Sequence, residues 1–304
     1  MKTLIQVIEI WTPDAAGQLL ESGGGLYGAV PALGAVSGSM CFGRGEGLPG
    51  RAWEAGQPIL LKDLQGGYFR RAAAAKAARL SCAVAMPVYL DDRLKAVVVF
   101  FCGDNPEAGA IELWRNDPRV TPDMTLRDGF YGSMAESFAS ASGDTYLSRG
   151  AGLPGLAWQK QTAVFMDDLA KTPKFIRSEE AAAVGIQRGL AIPCPVPSHE
   201  NYALTFLSTA SMPYALRVES WMPAASGGSL ERAFGFCETE GKLSAGVALA
   251  AVPCAATIEA AFTGAAPSLW QAGDGQPGVA GSRAMAALPI MADGAVSEVL
   301  ALYI

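Results

Sequence analysis

The chain has a single histidine in 304 residues, His199, within the turn-like stretch PSHEN. A zinc site needs several nitrogen or sulfur ligands at workable spacing, and a serine hydrolase needs a positioned imidazole base. One histidine on a hairpin supplies neither. Charge is sparse too: Asp, Glu, Lys and Arg make up 17% of the residues, and 23 basic against 29 acidic groups leave a net charge of −6. There is no dense basic patch, which argues against a nucleic-acid partner. Long apolar runs are missing; a run such as Ala96 to Cys102 is too short to cross a bilayer, so no membrane partner is expected. The opening MKTLIQVIEIW carries one lysine and no A-x-A cleavage pattern, so it does not read as a secretory signal and a cytoplasmic location is expected. No CxxC pair occurs among the six cysteines, Cys41, Cys82, Cys102, Cys194, Cys237 and Cys254. Most lie in apolar, strand-like surroundings and read as buried free thiols in a reducing compartment.

What the chain does have is apolar residues, 50% of the total, and length enough for two or three domains. It also repeats itself. GEGLPGRAWEAGQPILLKDL (45–64) aligns without a gap on GAGLPGLAWQKQTAVFMDDL (150–169). Ile8-Glu9-Ile10-Trp11 recurs as Ile111-Glu112-Leu113-Trp114 and as Val218-Glu219-Ser220-Trp221. Gly-Leu-Tyr-Gly (25–28) recurs as Gly-Phe-Tyr-Gly (129–132) and, shortened, as Gly-Phe-Cys (235–237). The apolar stretches 83–101, 190–208 and 287–304 form a third matching set. Ordered markers at near-constant spacing mean three copies of one unit, expected at 1–104, 105–210 and 211–304, with the third degenerate. In that third copy Cys254-Ala-Ala-Thr-Ile-Glu259 replaces the glycine-rich joint.

Within a copy, apolar–polar alternation and β-branched residues predict strands at Leu4–Trp11, Leu19–Leu26, Ile59–Leu61, Cys82–Tyr89 and Leu94–Cys102. RAWEAG reads as a short helix closed by Gly56, and Tyr68–Leu80 as an alanine-rich helix. The order strand, strand, helix, strand, helix, strand, strand defines an α+β unit on an antiparallel sheet. The glycines at 45, 47 and 50, and at 150, 152 and 155, match the dinucleotide spacing GxGxxG. However, a proline lies inside the motif, no strong parallel strand precedes it, and no Lys-Ser or Lys-Thr follows. The motif therefore reads as a tight turn entering a helix, where glycine permits close backbone packing.

These residues resemble the GAF domain: GEGLPGRAWEAGQPILLKDL, FRRAAAAKAARLSCAVAMPV and the closing strand AVVVFF in copy 1, with their counterparts through KFIRSEEAAAVGIQRGLAIPCPV in copy 2. The flavour is that of sensory GAF domains in bacterial signalling proteins and in NIN-like nitrate regulators. The resemblance implies three tandem GAF-like units, each with a ligand pocket between one sheet face and the elements around its long helix. Copy 1 offers Cys41, Asp63, Phe69, Arg70, Arg71 and Met86 to that pocket; copy 2 offers Tyr146, Asp168, Phe175, Arg177 and Arg188. A phenylalanine followed closely by an arginine gives an apolar wall and a cation, suited to a small anion or an aromatic acid. The structural alternative is that Arg70 and Arg177 pair with Asp63 and Asp168 and tie helix to strand. Copy 3 keeps no Phe–Arg equivalent, having Gln276 to Gly281 instead.

GAF domains often carry terminal helices that cover the outer sheet face; the connections here leave no room for them. The faces must then be covered by one another, covered by another chain, or left polar, which adds an expectation of a homodimer. Three functions stay open at this point. The first is a non-catalytic sensory or regulatory protein that binds a small molecule and signals to a protein partner. The second is an assembly subunit with vestigial pockets. The third is a GAF-fold thiol redox enzyme using Cys41 or Cys82, as in GAF-like enzymes that reduce methionine sulfoxide. No catalytic residue, metal or cofactor is assigned. Bilin attachment lacks its Cys–His pair.

Overall fold

A computed structural model describes residues 2–103, 109–132, 136–273, 278–279 and 281–304. Lobe 1 runs β1 (Ile5–Pro13), β2 (Leu20–Leu26), α1 (Pro31–Ser37), β3 (Cys41–Phe42), α2 (Gly47–Ala55), β4 (Ile59–Leu61), α3 (Ala72–Ala77), β5 (Leu80–Leu90) and β6 (Arg93–Gly103). Lobe 2 repeats this as β7 (Gly109–Asn116), β8 (Met124–Phe130), α4 (Glu136–Gly143), β9 (Tyr146–Leu147), α5 (Gly152–Lys160), β10 (Val164–Met166), α6 (Ser178–Ala183), β11 (Arg188–Cys194) and β12 (Asn201–Ser208). Lobe 3 has β13 (Arg217–Pro223), β14 (Leu230–Cys237), β15 (Gly241–Lys242), a single 3-10 turn, α7 (Ala255–Gly264), β16 (Ser268–Gln271), β17 (Ala284–Ala292) and β18 (Ala295–Tyr303). The three antiparallel sheets share one topology, β3-β2-β1-β6-β5-β4, β9-β8-β7-β12-β11-β10 and β15-β14-β13-β18-β17-β16.

Two differences from the sequence reading have local causes. The first is an added helix and two-residue strand after β2 and after β8. In lobe 1 this segment, AVPALGAVSGSMCF, is too rich in Gly and Ser to show a period, and its helix starts from Pro31 in the first turn. The second is that the alanine-rich helix shrinks to Ala72–Ala77. Arg71 precedes it with a non-helical backbone, drawn into the sheet by a buried partner described below.

The glycine-rich joint is a packing device. Gly47 and Gly152 start α2 and α5 with φ of +55 and +63°. A Cβ on Gly50 would stand 2.0 Å from the Gly43 carbonyl oxygen, and one on Gly155 2.5 Å from that of Ser148. The amides of Gly45 and Gly150 donate to the carbonyls of Gly50 and Gly155 at 2.9 and 2.8 Å, locking the turn onto the helix. Gly50→Ala should therefore destabilise the protein by about 1–3 kcal/mol, since the obstacle is backbone. A urea midpoint equal to that of the parent would contradict this account.

Both faces of the central strands are buried, which is why they read as unbroken apolar runs. Along β5, Cys82, Val84, Met86 and Val88 face one core; Ala83, Ala85 and Tyr89 face another. The first of these cores is shared: Leu190, Ile192 and Cys194 of β11 and Ala286, Leu288 and Ile290 of β17 join it, so the three sheets meet in one hub. Pro87, Pro193 and Pro289 sit at matching places there, opposite Val97, Ala203 and Val299. Each lies beyond the reach of the short strands β4, β10 and β16, where no second neighbour needs its missing amide hydrogen.

Around the hub the contacts run head to tail and close in three steps. From lobe 1, Lys62 after β4 pairs with Asp128 of β8 at 2.8 Å. Phe165 of β10 stacks on Phe234 of β14 with ring centres 6.2 Å apart. Gln271 of β16 donates to the Gly25 carbonyl of β2 at 2.9 Å. The chain thus covers its own sheet faces, and among the described residues no helix lies between β6 and β7 or between β12 and β13. The three sheets bury these faces against one another in the hub, so no second chain is needed to cover them.

Candidate functional site

The Glu-x-Trp motif places one carboxylate per lobe on the face of its first strand that looks toward the helices. In lobe 1, Glu9 is 1% and Arg71 3% exposed. Arg71 Nη1 donates to Glu9 Oε1 at 2.5 Å, and Trp11 Nε1 to Glu9 Oε2 at 3.0 Å. Ser37, the last residue of α1, has its Oγ 2.7 Å from Glu9 Oε1 and also meets Arg71. The guanidinium lies 5.3–6.0 Å from the rings of Trp11, Phe42, Phe69 and Phe101. Lobe 2 builds the same cluster. Arg177 holds Glu112 with two parallel bonds of 2.5 and 2.9 Å, Trp114 Nε1 donates to Glu112 at 2.9 Å, and Ser142 of α4 contacts Arg177. Trp114, Phe138 and Phe175 cage the guanidinium at 5.1–5.2 Å.

The repeated tyrosines complete these clusters. Tyr131 OH donates to Glu112 Oε1 at 3.1 Å. Burial first, and then the Glu112 charge, push the Tyr131 phenol upward; burial and the Glu9 charge do the same to Tyr27. Burial also pushes Glu112 up, but the charge and hydrogen bonds of Arg177 overrule it and hold the carboxyl below its ordinary range. Lobe 3 keeps the carboxylate and changes its partners. Glu219 receives Trp221 Nε1 at 3.3 Å and Tyr303 OH at 2.9 Å, with strand-borne Arg217 and Arg232 at 2.7 and 2.9 Å. Residues 274–277 and 280 fall outside the described residues, and with them half of the Gln276–Gly281 replacement.

The sequence-derived residues therefore disperse. Phe69 with Arg71, and Phe175 with Arg177, come together in the two cages. The pairing of Arg70 and Arg177 with Asp63 and Asp168 does not occur: Arg70 is exposed and reaches Glu46 at 3.8 Å, while Arg177 takes Glu112. Asp63 accepts the Gln65 amide, and Asp168 pairs with Lys171 at 2.9 Å. Cys41 and Tyr146 lie exposed on β3 and β9. Met86 faces the hub, on the other side of its sheet from the cage. Arg188 bridges lobes 2 and 3, donating to Glu238 at 3.2 Å and to the Asp167 carbonyl. The glutamates and tyrosines that complete the clusters are missing from that set, although both belong to repeated motifs.

None of the six cysteines forms a disulfide, and only Cys41 is exposed. Burial pushes Cys194 up to about 12 and Cys102 well above its ordinary value. Native protein at neutral pH should thus take up iodoacetamide at Cys41 alone, with the other five labelled only after unfolding. A second native label, read by mass spectrometry, would contradict the burial of the thiol that carries it.

A cleft of about 690 Å³ opens between lobes 3 and 1. Lys2, Arg79 and Arg283 line it, above an apolar floor that includes Leu26 and Met212. Its lining among the described residues contains no carboxylate side chain. Tyr27 forms part of the wall, so the residue beside the buried Glu9 cluster also faces the cleft.

Residues 5–116 match the family model for the GAF domain. The match covers the first lobe and runs into the first strand of the second, and lobes 2 and 3 repeat the first lobe's sheet topology. Among solved structures it is similar to the free methionine-R-sulfoxide reductase of Neisseria meningitidis, at 18% identity over 33% of this chain and 52% of that one, TM-score 0.25. It is similar to the nlh2 GAF domain of A. aeolicus in an inactive state, at 16% identity over 33% and 58%, TM-score 0.27. A third likeness is to an NreA protein of Staphylococcus aureus mutated in its nitrate binding site, at 11% identity over 33% and 73%, TM-score 0.27. The match spans just over half the length of the first two. No curated protein matches the chain. No helix among the described residues is long and apolar enough to cross a membrane.

Proposed function

We propose that this chain is a non-catalytic regulatory protein of the GAF type, which binds a small molecule in the cytoplasm and passes the bound state to a protein partner. The cleft between lobes 3 and 1 carries this reading. Its volume of about 690 Å³ is that of a ligand site, and two lobes wall it, so occupancy bears on how they sit together. The pockets around Phe69 with Arg71 and Phe175 with Arg177 are closed by the chain's own glutamates. A ligand there would have to displace a buried, hydrogen-bonded carboxylate, whereas the cleft is open. Tyr27 connects the two. The test is thermal melting against a panel of small anions, purines, amino acids and aromatic acids. The expected result is a rise of several degrees with one chemical class, lost when Ala284→Trp fills the cleft. A parent protein that responds to none of them would contradict the reading.

A second reading, an assembly subunit with vestigial pockets, is favoured by one observation: each lobe fills its own interior with a Glu–Arg–Trp cluster. It predicts that pull-down of a protein partner survives Ala284→Trp unchanged.

A further inference from the structure

We infer that the ligand of the cleft between lobes 3 and 1 is a flat heteroaromatic molecule with a hydrogen-bond donor and acceptor side by side on one edge, a ring amide being the simplest case, and that Gln6 recognises that edge. This rests on the cleft being the small-molecule site. The repeat makes the three interfaces of the ring equivalent. Pro87, Pro193 and Pro289 occupy matching places, which aligns Cys82 of β5, Arg188 of β11 and Ala284 of β17. Phe130 of β8, Phe236 of β14 and Leu26 of β2 align in the same way, standing opposite Ile111, Val218 and Ile8. At the interface of lobes 2 and 3, the Arg188 guanidinium lies 5.0 Å from the Phe236 ring, so two flat groups fill the place. At the interface of lobes 1 and 2 it holds Cys82 and Phe130, both packed into the hub. At the interface of lobes 3 and 1 it holds Ala284 and Leu26, and both line the cleft. The interface that lacks a ring there is the interface with the cleft, and a flat aromatic ligand supplies the missing ring.

The polar half of the class comes from a break in the repeat. Ile5 stands opposite Cys102 and Val7 opposite Phe101, so Gln6 is an extra residue in β1. The other two lobes have no such residue: Gly109, Ala110 and Ile111 pair step for step with Ser208, Leu207 and Phe206, and Arg217 and Val218 with Tyr303 and Leu302. A bulge of this kind re-aims one side chain, and Gln6 lines the cleft, half-buried. Its carboxamide lies against Gly103, where a Cβ would stand 1.9 Å from Gln6 Nε2, and has no hydrogen-bond partner among the described residues. The neighbouring polar groups are engaged inward. Thr3 Oγ1 donates to the Ile5 carbonyl at 2.6 Å, and the Tyr27 phenol is held by Ser37 and Glu9. Arg79 is engaged within the chain, and Lys2 and Arg283 are exposed, where a charge contributes little. An open carboxamide presents a donor and an acceptor in one plane, which a ring amide matches with two parallel hydrogen bonds. A plain hydrocarbon ring would leave both groups unpaired beside an apolar floor.

Titration calorimetry on the full chain tests this with quinolin-2-one, N-methylquinolin-2-one, quinoline and octanamide. Quinolin-2-one should bind. The N-methyl compound lacks the donor, quinoline lacks the ring amide and octanamide lacks the ring, so each should bind at least about tenfold more weakly. Gln6→Leu, close in size, should narrow the gap between quinolin-2-one and quinoline to less than about threefold. Leu26→Phe, which restores the ring found at the other two interfaces, should abolish binding of all three aromatic probes. Melting temperatures near the parent's would show that each variant is folded. Quinolin-2-one and quinoline binding alike to the parent would overturn the role of Gln6 while leaving the cleft as a small-molecule site. Octanamide binding as tightly as quinolin-2-one would overturn the flat body. Binding unaltered by both substitutions would overturn the location. No binding by any probe, in a chain that the wider melting panel stabilises through the cleft, would overturn this inference alone; no response in either experiment would overturn the function with it.

Discussion

Arg177→Met should destabilise the protein by about 3–5 kcal/mol, because it leaves the Glu112 carboxylate buried without its counter-charge. Glu112 has no exposed surface, and Arg177 supplies two of the hydrogen bonds that hold its charged form below the ordinary carboxylate range. Tyr131, Trp114 and the α4 contact through Ser142 all converge on the same pair, so removing the cation loosens lobe 2 as a unit. The double variant Glu112→Leu/Arg177→Met should recover most of the loss, since apolar side chains of similar size suit the aromatic cage. Urea unfolding of the four proteins in the cycle measures the coupling. A single variant within about 1 kcal/mol of the parent would mean that water or a neighbour reaches Glu112, and the closed-pocket account of lobe 2 would fall. The same pair sets an acid limit. Glu112 is depressed, so its contribution is present above the unfolded carboxylate range near pH 4.5 and is lost as pH falls through its lower folded value.

The architecture was legible because it was written three times. Two-sided burial is visible in β5 and β6, whose apolar runs do not alternate, and the missing terminal helices pointed to sheets that cover one another. The buried clusters were half legible. A glutamate between isoleucines, with a tryptophan two places on and repeated in all three copies, is costly to bury alone and so announces a partner. The partner sits 62 residues away in lobe 1 and 65 in lobe 2, beyond any local pattern. The repeat still held a clue: Arg177 follows Phe175 by two places, as Arg71 and not Arg70 follows Phe69. The cleft was not legible at all. Lys2 and Arg283 come together only when lobe 3 closes the ring onto lobe 1, a contact that no spacing in the chain announces.

That closure has a second weak point, at Glu298. It lies on β18 with no exposed surface, and its Oε2 accepts the Ala163 amide of lobe 2 at 2.7 Å, while Oε1 has no hydrogen-bond partner. Burial raises its carboxyl to about 7, against smaller downward pulls from the Ser220 hydroxyl and the Ala163 amide; no charged side chain contributes to the shift. A group raised in the folded state contributes stability that is fully present below its unfolded value, near 4.5, and is lost as pH rises through its folded value near 7. The interval corresponds to about 3 kcal/mol. Glu298→Gln keeps the shape and the acceptor for Ala163 but cannot ionise, so it isolates the effect from every other titrating group. Measured by urea unfolding at half-unit steps from pH 5 to pH 8, the variant should gain on the parent steadily as pH rises, by about 3 kcal/mol in all. Parallel curves would mean that Glu298 stays charged throughout, with an unseen cation or water beside it. A gain that accumulates between pH 5 and pH 7 and then levels off would make the contact between lobes 2 and 3 the pH-sensitive joint of the ring, one interface away from the cleft.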